Sequence, residues 1–434
     1  MNVTPKFSVA IIGGGVCGLT LALALQKRGL KAHIYEGTSK FGEIGAGIVL
    51  GLNALDIMSE IGVYDEICKF TVDPRKTKLP GFTTVFANAP REPIITVNNE
   101  GGKGWASMMR MQLLDALVKF VDPAYTHFNK RCLSITSDAE TKVQTMHFKD
   151  GTTAEADVVL VANGVKSALR GMMITDTQPE LPADAIKGVS YSSLMNFRGL
   201  VRRENALAMG VDTSLWSGIT SCLGRDKHVV MYPVKMGQII NIAAYVREPS
   251  SVKLPPNHPT TEPATTEELL AHFPESDFAP EIQDLLKCIE KPTKWYMNIV
   301  YPHLETYSKG RVALLGDAAH AMLPFLGAGA GQGIEDAYLL AELLSNPQTT
   351  TKNVEEVLQV YSDVRRPRSQ LVLDRSVQAG RISHGHGPSG FTKEGLREDL
   401  TTVDHWSEEA YVYPLNKNVD QALDILKKEG IFAY

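Results

Sequence analysis

The chain has 434 residues, of which 44% are hydrophobic and 21% charged, with a net charge of −5. That length leaves room for two domains, the composition is that of a folded rather than a disordered chain, and the acidic balance lacks the basic surplus of a nucleic-acid binder. Five scattered cysteines, without metal-like spacing, read as reduced thiols; no apolar run approaches the roughly 20 residues that span a bilayer, and no targeting or lipidation signal is evident, so no membrane partner and a cytoplasmic location are expected.

Residues 7–12 form a short β-rich run that breaks into Gly13-Gly14-Gly15-Val16-Cys17-Gly18. An apolar helix over Val16–Arg28 is expected next, with Lys27 and Arg28 in its last turn and Gly29 behind it as the terminator. Lys31–Glu36 then reads as a second strand, which closes a βαβ unit. In a G-x-G-x-x-G placed between strand and helix, Gly13, Gly15 and Gly18 serve the tight turn, the approach of backbone to a pyrophosphate, and helix–strand packing. The helix N-terminus turns its positive end toward the phosphates, and Glu36 stands where an acidic side chain accepts ribose hydroxyls. This motif binds a dinucleotide and leaves FAD and NAD both open.

Farther on, Met111–Val121 reads as a helix, and Thr145–Phe148 and Ala154–Leu160 as strands around an Asp150-Gly151 turn. Between 187 and 248 the texture becomes period-two and β-branched, as in His228–Pro233 and Ile239–Val246, which predicts an antiparallel sheet in a different domain. Pro255–Pro263 reads as a loop. From Arg311 a strand runs into Gly316-Asp317, and Gly327-Ala328-Gly329-Ala330-Gly331-Gln332-Gly333 opens a helix carrying Ile334, Ala337, Tyr338 and Ala341. A carboxylate at a strand end suits polyol hydroxyls such as those of a ribityl chain. A glycine-rich helix start offers backbone N–H groups where a reduced flavin carries negative charge. The segment therefore favours FAD.

These stretches resemble the class A flavoprotein monooxygenases of the p-hydroxybenzoate hydroxylase fold, and among them the salicylate-hydroxylase-like branch. The resemblance covers residues 7–380 and includes the dinucleotide motif, Glu43-Ile44-Gly45-Ala46-Gly47-Ile48, Asn53-Ala54, Arg110 ahead of Leu113-Leu114, Ala162-Asn163-Gly164-Val165-Lys166-Ser167, and the Gly-Asp stretch. It implies an α/β fold: a Rossmann-type FAD-binding domain (1–75 with 105–186 and 300–355), an inserted antiparallel-sheet substrate domain (76–104 with 187–299), and a C-terminal helical region (356–434). It also implies non-covalent FAD, with Glu36 on the adenosine ribose, Ala46 and Gly47 along the cofactor, Arg110 near the ribityl–pyrophosphate, Asp317 on the ribityl hydroxyls, and Gly329 and Ala330 at the flavin ring. Asn163 departs from the family's usual aspartate and removes a charge near the bound phosphates.

On the substrate side the resemblance singles out Phe197-Arg198-Gly199 and His228-Val229-Val230-Met231-Tyr232-Pro233. Arg198 is expected to hold an oxyanion, Tyr232 to hydrogen-bond a phenol, and His228 to carry its proton; an even spacing on a strand puts the last two on one face. The implied activity is hydroxylation of a small phenolic acid of the hydroxybenzoate type with O2 through a C4a-hydroperoxyflavin, NAD(P)H binding transiently, with loss of CO2 if the attacked carbon bears the carboxylate. A homodimer stays open, as do the same chemistry on 4-hydroxybenzoate, 3-hydroxybenzoate, a hydroxynicotinate or a polyketide phenol, a reductase without oxygen insertion, and a non-catalytic scaffold. His320 reads equally as structural or catalytic, Trp295 as packing, and Arg365, Arg366 and Arg368 as a solvated or helix-terminal face. His384 and His386 are not expected to form a metal site.

Overall fold

The computed structural model describes residues 7–42, 47–71, 81–88, 92–97, 105–174, 188–255 and 258–433. Its first layer is a six-stranded sheet in the order Ser308–Lys309, Val312–Leu314, Val158–Val161, Val9–Ile12, Ala32–Tyr35, Thr126–His127, parallel except at the first pair. The central strands are continuous apolar runs, every residue buried, because helices cover both faces of a parallel sheet. The helix Val16–Lys27 starts immediately after the glycine turn, and Gly29 at φ +80° ends it. It packs against the helix Gly329–Ser345, where Cys17 Sγ fills the space left by Gly316 and Gly333.

The second layer is an eight-stranded sheet: Thr261–Pro263, Thr293–Ile299, Ser190–Arg202, Ile239–Arg247, Lys227–Val234, Ile219–Gly224, Phe82–Phe86, Pro93–Val97. Its strands are antiparallel except where Ile219–Gly224 meets Phe82–Phe86. Alternation gives the sheet two apolar tasks. Phe197, Val229, Met231, Ile242 and Ala244 face a core shared with the helices Thr266–His272 and Pro280–Lys287. Their neighbours in sequence face the first layer. Smaller sheets pair Gly47–Gly51 with Trp105–Met109 and join Cys132–Ser137, Gln144–Phe148 and Thr153–Ala156. Three helices, Val354–Ser383, Lys393–Tyr411 and Lys417–Lys428, complete the chain.

Several sequence expectations need correction. The strand expected over Ala154–Leu160 is two strands in different sheets, Thr153–Ala156 and Val158–Val161. They part at Asp157, whose carboxylate accepts the Ser8 N–H at 2.7 Å and ties the break to the first strand. The helix expected over Met111–Val121 is Arg110–Val118. The segment Pro255–Pro263 is not all loop, since Thr261–Pro263 adds an edge strand.

Candidate active site

A cavity of about 680 Å³ opens between the two main sheets, lined on one side by the glycine turns and on the other by the eight-stranded sheet. Gly13 has φ +108°, and a Cβ there would lie 2.5 Å from the Ala162 carbonyl oxygen. A Cβ on Gly18 would strike the Gly13 carbonyl. Gly15 is the extended residue before the helix. Glu36 accepts the Gly14 N–H at 2.7 Å through one carboxylate oxygen and the Thr38 N–H at 2.8 Å through the other. The second oxygen also accepts the Thr38 hydroxyl at 2.8 Å, so it is the oxygen facing Gly14 that keeps lone-pair capacity for a hydroxyl.

Arg110, Asp317, Gly329 and Ala330 line the same cavity. Asp317 is exposed to it although Leu315, Ala318 and Ala319 are buried, and Gly316 at φ +60° makes the turn that presents it. Gly47 also lines the cavity; its N–H donates to Asn241 Oδ1 at 2.9 Å, and a Cβ would run into the Tyr232 hydroxyl. Ala46 and the preceding Glu43-Ile44-Gly45 lie outside the described residues.

The opposite wall holds Arg198, His228 and Tyr232. His228, Val230 and Tyr232 point the same way from one strand, as the even spacing required. The Arg198 guanidinium carbon lies 5.0 Å from the centroid of the Trp295 ring, so Trp295 packs where expected and also holds the arginine. Burial pushes the Tyr232 hydroxyl well above its ordinary value, and it stays protonated at neutral pH. His228 is buried, stacks on Tyr245 with ring centroids 4.6 Å apart, and places Nδ1 3.0 Å from His384 Nε2. Burial, and then the neighbouring His384, hold it well below the usual histidine value, hence neutral.

Residues 6–376 match the FAD binding domain family. The chain belongs to that family. It is 34% identical to a salicylate hydroxylase of Pseudomonas putida over 92% of its own length and 91% of the relative's. It is also 34% identical to a 6-methylsalicylate 1-monooxygenase of Aspergillus terreus over 88% and 84%. A solved salicylate hydroxylase substrate complex superposes with a TM-score of 0.82 at 31% identity, covering 96% of this chain and 98% of that one. The protein is thus an FAD-dependent monooxygenase of the aromatic hydroxylase type.

The cavity fits the cofactor. Gly13, Gly14 and Gly15 line the cavity without side chains where a pyrophosphate would lie, Asp317 stands exposed for a polyol, and Asn163 Oδ1 is buried on the cavity wall with no hydrogen-bond partner among the described residues. The first turn of Gly329–Ser345 carries no acidic residue to oppose an anionic flavin ring.

Sequence reasoning missed the supports behind this cleft. Arg170 is fully buried and donates to the Ala318, Val165 and Asp317 carbonyls at 2.7, 2.7 and 3.1 Å, joining the Asn163 loop to the Asp317 loop. Burial lowers its pKa to about 10. Arg365 is also fully buried, not part of a solvated face as expected: it meets Asp336 at 2.7 Å and Glu335 at 2.6 Å. Arg368 joins Glu335 at 2.7 Å, while Arg366 alone keeps a surface pairing, with Asp363 at 3.7 Å. Asp336 also takes His320 at 2.6 Å, which gives His320 a structural partner. Burial by itself would raise the Asp336 carboxyl, but His320 and Arg365 hold it at about 2. The helix Lys393–Tyr411 lies in the expected C-terminal helical region, but its place at the cavity was missed: Leu400, Val403, Ser407 and Tyr411, on one helical face, wall it. His384 and His386 diverge, the first buried against His228 and the second bonded to Asp226 at the surface.

Proposed function

We propose that the enzyme hydroxylates a small phenolic acid of the salicylate-like hydroxybenzoate type, with NAD(P)H and O2 as co-substrates. The carrying observation is Arg198: it lines the cavity opposite the cofactor side, and its Nε has no hydrogen-bond partner among the described residues. A guanidinium so placed suits a carboxylate, which it binds with two parallel hydrogen bonds. The family resemblance to salicylate and 6-methylsalicylate oxygenases supports the same substrate class.

When bound, FAD supplies the activation of dioxygen that side chains do not provide. Arg198 then orients the acid and Tyr232 donates its hydroxyl hydrogen bond to the phenolic oxygen. Neutral His228, its Nδ1 engaged by His384, has Nε2 left to accept a hydrogen bond from the phenolic O–H. Polarising that O–H strengthens electron donation into the ring at the carbon to be oxygenated. Glu36, Gly47, Arg110, Asp317, Gly329 and Ala330 hold the cofactor. In this reading the cofactor domain comprises 1–75, 105–186 and 300–355, and the substrate domain 76–104 and 187–299.

The test is a panel of hydroxybenzoates scored for stimulated NAD(P)H oxidation, product mass and CO2 release by the purified yellow enzyme. Stimulation with stoichiometric hydroxylated product is expected. Stimulation by none of them would refute the substrate class, and CO2 release separates attack at the carboxylate-bearing carbon from attack elsewhere.

A further inference from the structure

The cavity-facing side of the eight-stranded sheet is graded in side-chain size. Strand register aligns Arg198, Ala243, Val230, Ser221, Thr84 and Ile95 in one row across six strands, and all six line the cavity. Between Arg198 and Ile95 this row is small. The row on one side holds Tyr245, His228, Leu223 and Phe86, and on the other side stand Tyr232, Ile219 and Phe82. Small side chains between two rows of large ones make a trough that crosses the strands. Five strand spacings of about 4.8 Å give it a length of roughly 24 Å.

The two ends differ in chemistry. Arg198 and Trp295 mark one end, and the other is closed by Ile95 together with Leu400 and Val403 of the helix Lys393–Tyr411. Along the way Thr84 is fully buried, and its hydroxyl has no hydrogen-bond partner among the described residues. A buried hydroxyl left unmatched in a cavity wall is a group that a ligand oxygen would satisfy.

A single aromatic ring with its carboxylate bridges about two of these spacings, roughly 10 Å. With the carboxylate on Arg198, three spacings of trough remain beyond the ring. We infer that the preferred substrate is a hydroxybenzoate with an extended aliphatic substituent on the side of the ring away from the carboxylate, bearing a carbonyl or hydroxyl oxygen that meets Thr84 and ending against Ile95, Leu400 and Val403. This rests on the substrate class proposed above and adds to it what the rest of the trough is for.

The test compares kcat/KM of the FAD-loaded enzyme for salicylate, for 2-hydroxybenzoates carrying a pentyl or pentanoyl group at carbon 4 or 5, and for the same groups at carbon 6. The chain at carbon 4 or 5 should raise kcat/KM about tenfold or more over salicylate, the discrimination one well-packed methylene can give. The pentanoyl compound should exceed the pentyl one. Ser221→Phe, which blocks the trough, should cut the ratio of substituted to unsubstituted kcat/KM at least tenfold. Thr84→Val should erase only the advantage of pentanoyl over pentyl, and flavin content reports folding for both variants. Salicylate turned over as well as the substituted acids, or a preference for carbon 6, would overturn the trough assignment and leave the substrate class standing. Turnover of no hydroxybenzoate at all would overturn both.

Discussion

The carboxylate of Asp336 accepts the Gly316 N–H at 2.9 Å, one residue before Asp317. The same carboxylate is held from behind by Arg365, and neither side chain has any solvent exposure. The loop that presents Asp317 to the cofactor is therefore set by an ion pair between two helices, Gly329–Ser345 and Val354–Ser383.

Removing Arg365 leaves Asp336 and Glu335 buried with less compensation, and breaking a buried pair costs about 3–5 kcal/mol. Arg365→Met should lower the urea midpoint accordingly, and adding Asp336→Asn should recover part of the loss. A single variant as stable as wild type would show that Arg368 and His320 suffice.

Asp317 contributes its side chain to the cavity rather than to the core, so Asp317→Ala should keep the fold and lose FAD. Charge-assisted hydrogen bonds of this kind are worth about 1.5–3 kcal/mol, or roughly tenfold to a hundredfold in affinity. Fluorescence titration of the stripped protein with FAD reads this directly, and an unchanged dissociation constant would place the ribityl chain elsewhere.

Arg198→Ala should leave the flavin spectrum intact and weaken the response to phenolic acids by about 2–5 kcal/mol, because the substrate anion loses its partner. Tyr232→Phe should spare binding and uncouple the reaction, with NAD(P)H consumed and hydrogen peroxide released in place of product. Wild-type coupling and affinity in both variants would reduce these residues to packing.

Gly333 and Cys17 should be energetically coupled. A Cβ on Gly333 would collide with Cys17 Sγ and lie 3.0 Å from the Gly316 Cα. Gly333→Ala should destabilise the protein and weaken FAD binding, and Cys17→Ala should relieve part of both. Strict additivity of the two substitutions would count against the contact.

Acid should unfold the protein in two stages. Burial keeps His228 well below its ordinary pKa of 6.5 and His384 at about 4. Between those values the unfolded chain binds protons that the folded chain refuses, so stability is full above about pH 6.5 and falls as pH drops toward 4. Asp336, held at about 2 against an ordinary 3.8, adds a second loss below pH 3.8. Urea midpoints at pH 7.5, 6 and 5 should decline in wild type and decline less in a His228→Phe, His384→Leu double variant; parallel curves would remove the histidines from the explanation.

Read alone, the sequence determined whatever depends on contiguous backbone demands. The turn Gly13–Gly18 and the Gly316-Asp317 turn each sit in a short stretch whose φ values and close approaches call for glycine, and the helix and Glu36 follow the first of them in contiguous sequence. The common face of His228 and Tyr232 follows from strand periodicity. Tertiary structure decided what depends on which distant segments share a cavity or a core. Arg365 looks like any helix-surface arginine until Glu335 and Asp336 of another helix enclose it. His384 meets His228 across 156 residues, and the wall from Leu400 to Tyr411 faces the cavity because a helix with one apolar face packs there. Even the break at Asp157 was hidden, since an apolar run carries no mark of the point where one sheet hands the chain to another. Local conformational preference is written residue by residue, whereas burial and charge pairing belong to surfaces that exist only once the chain has folded.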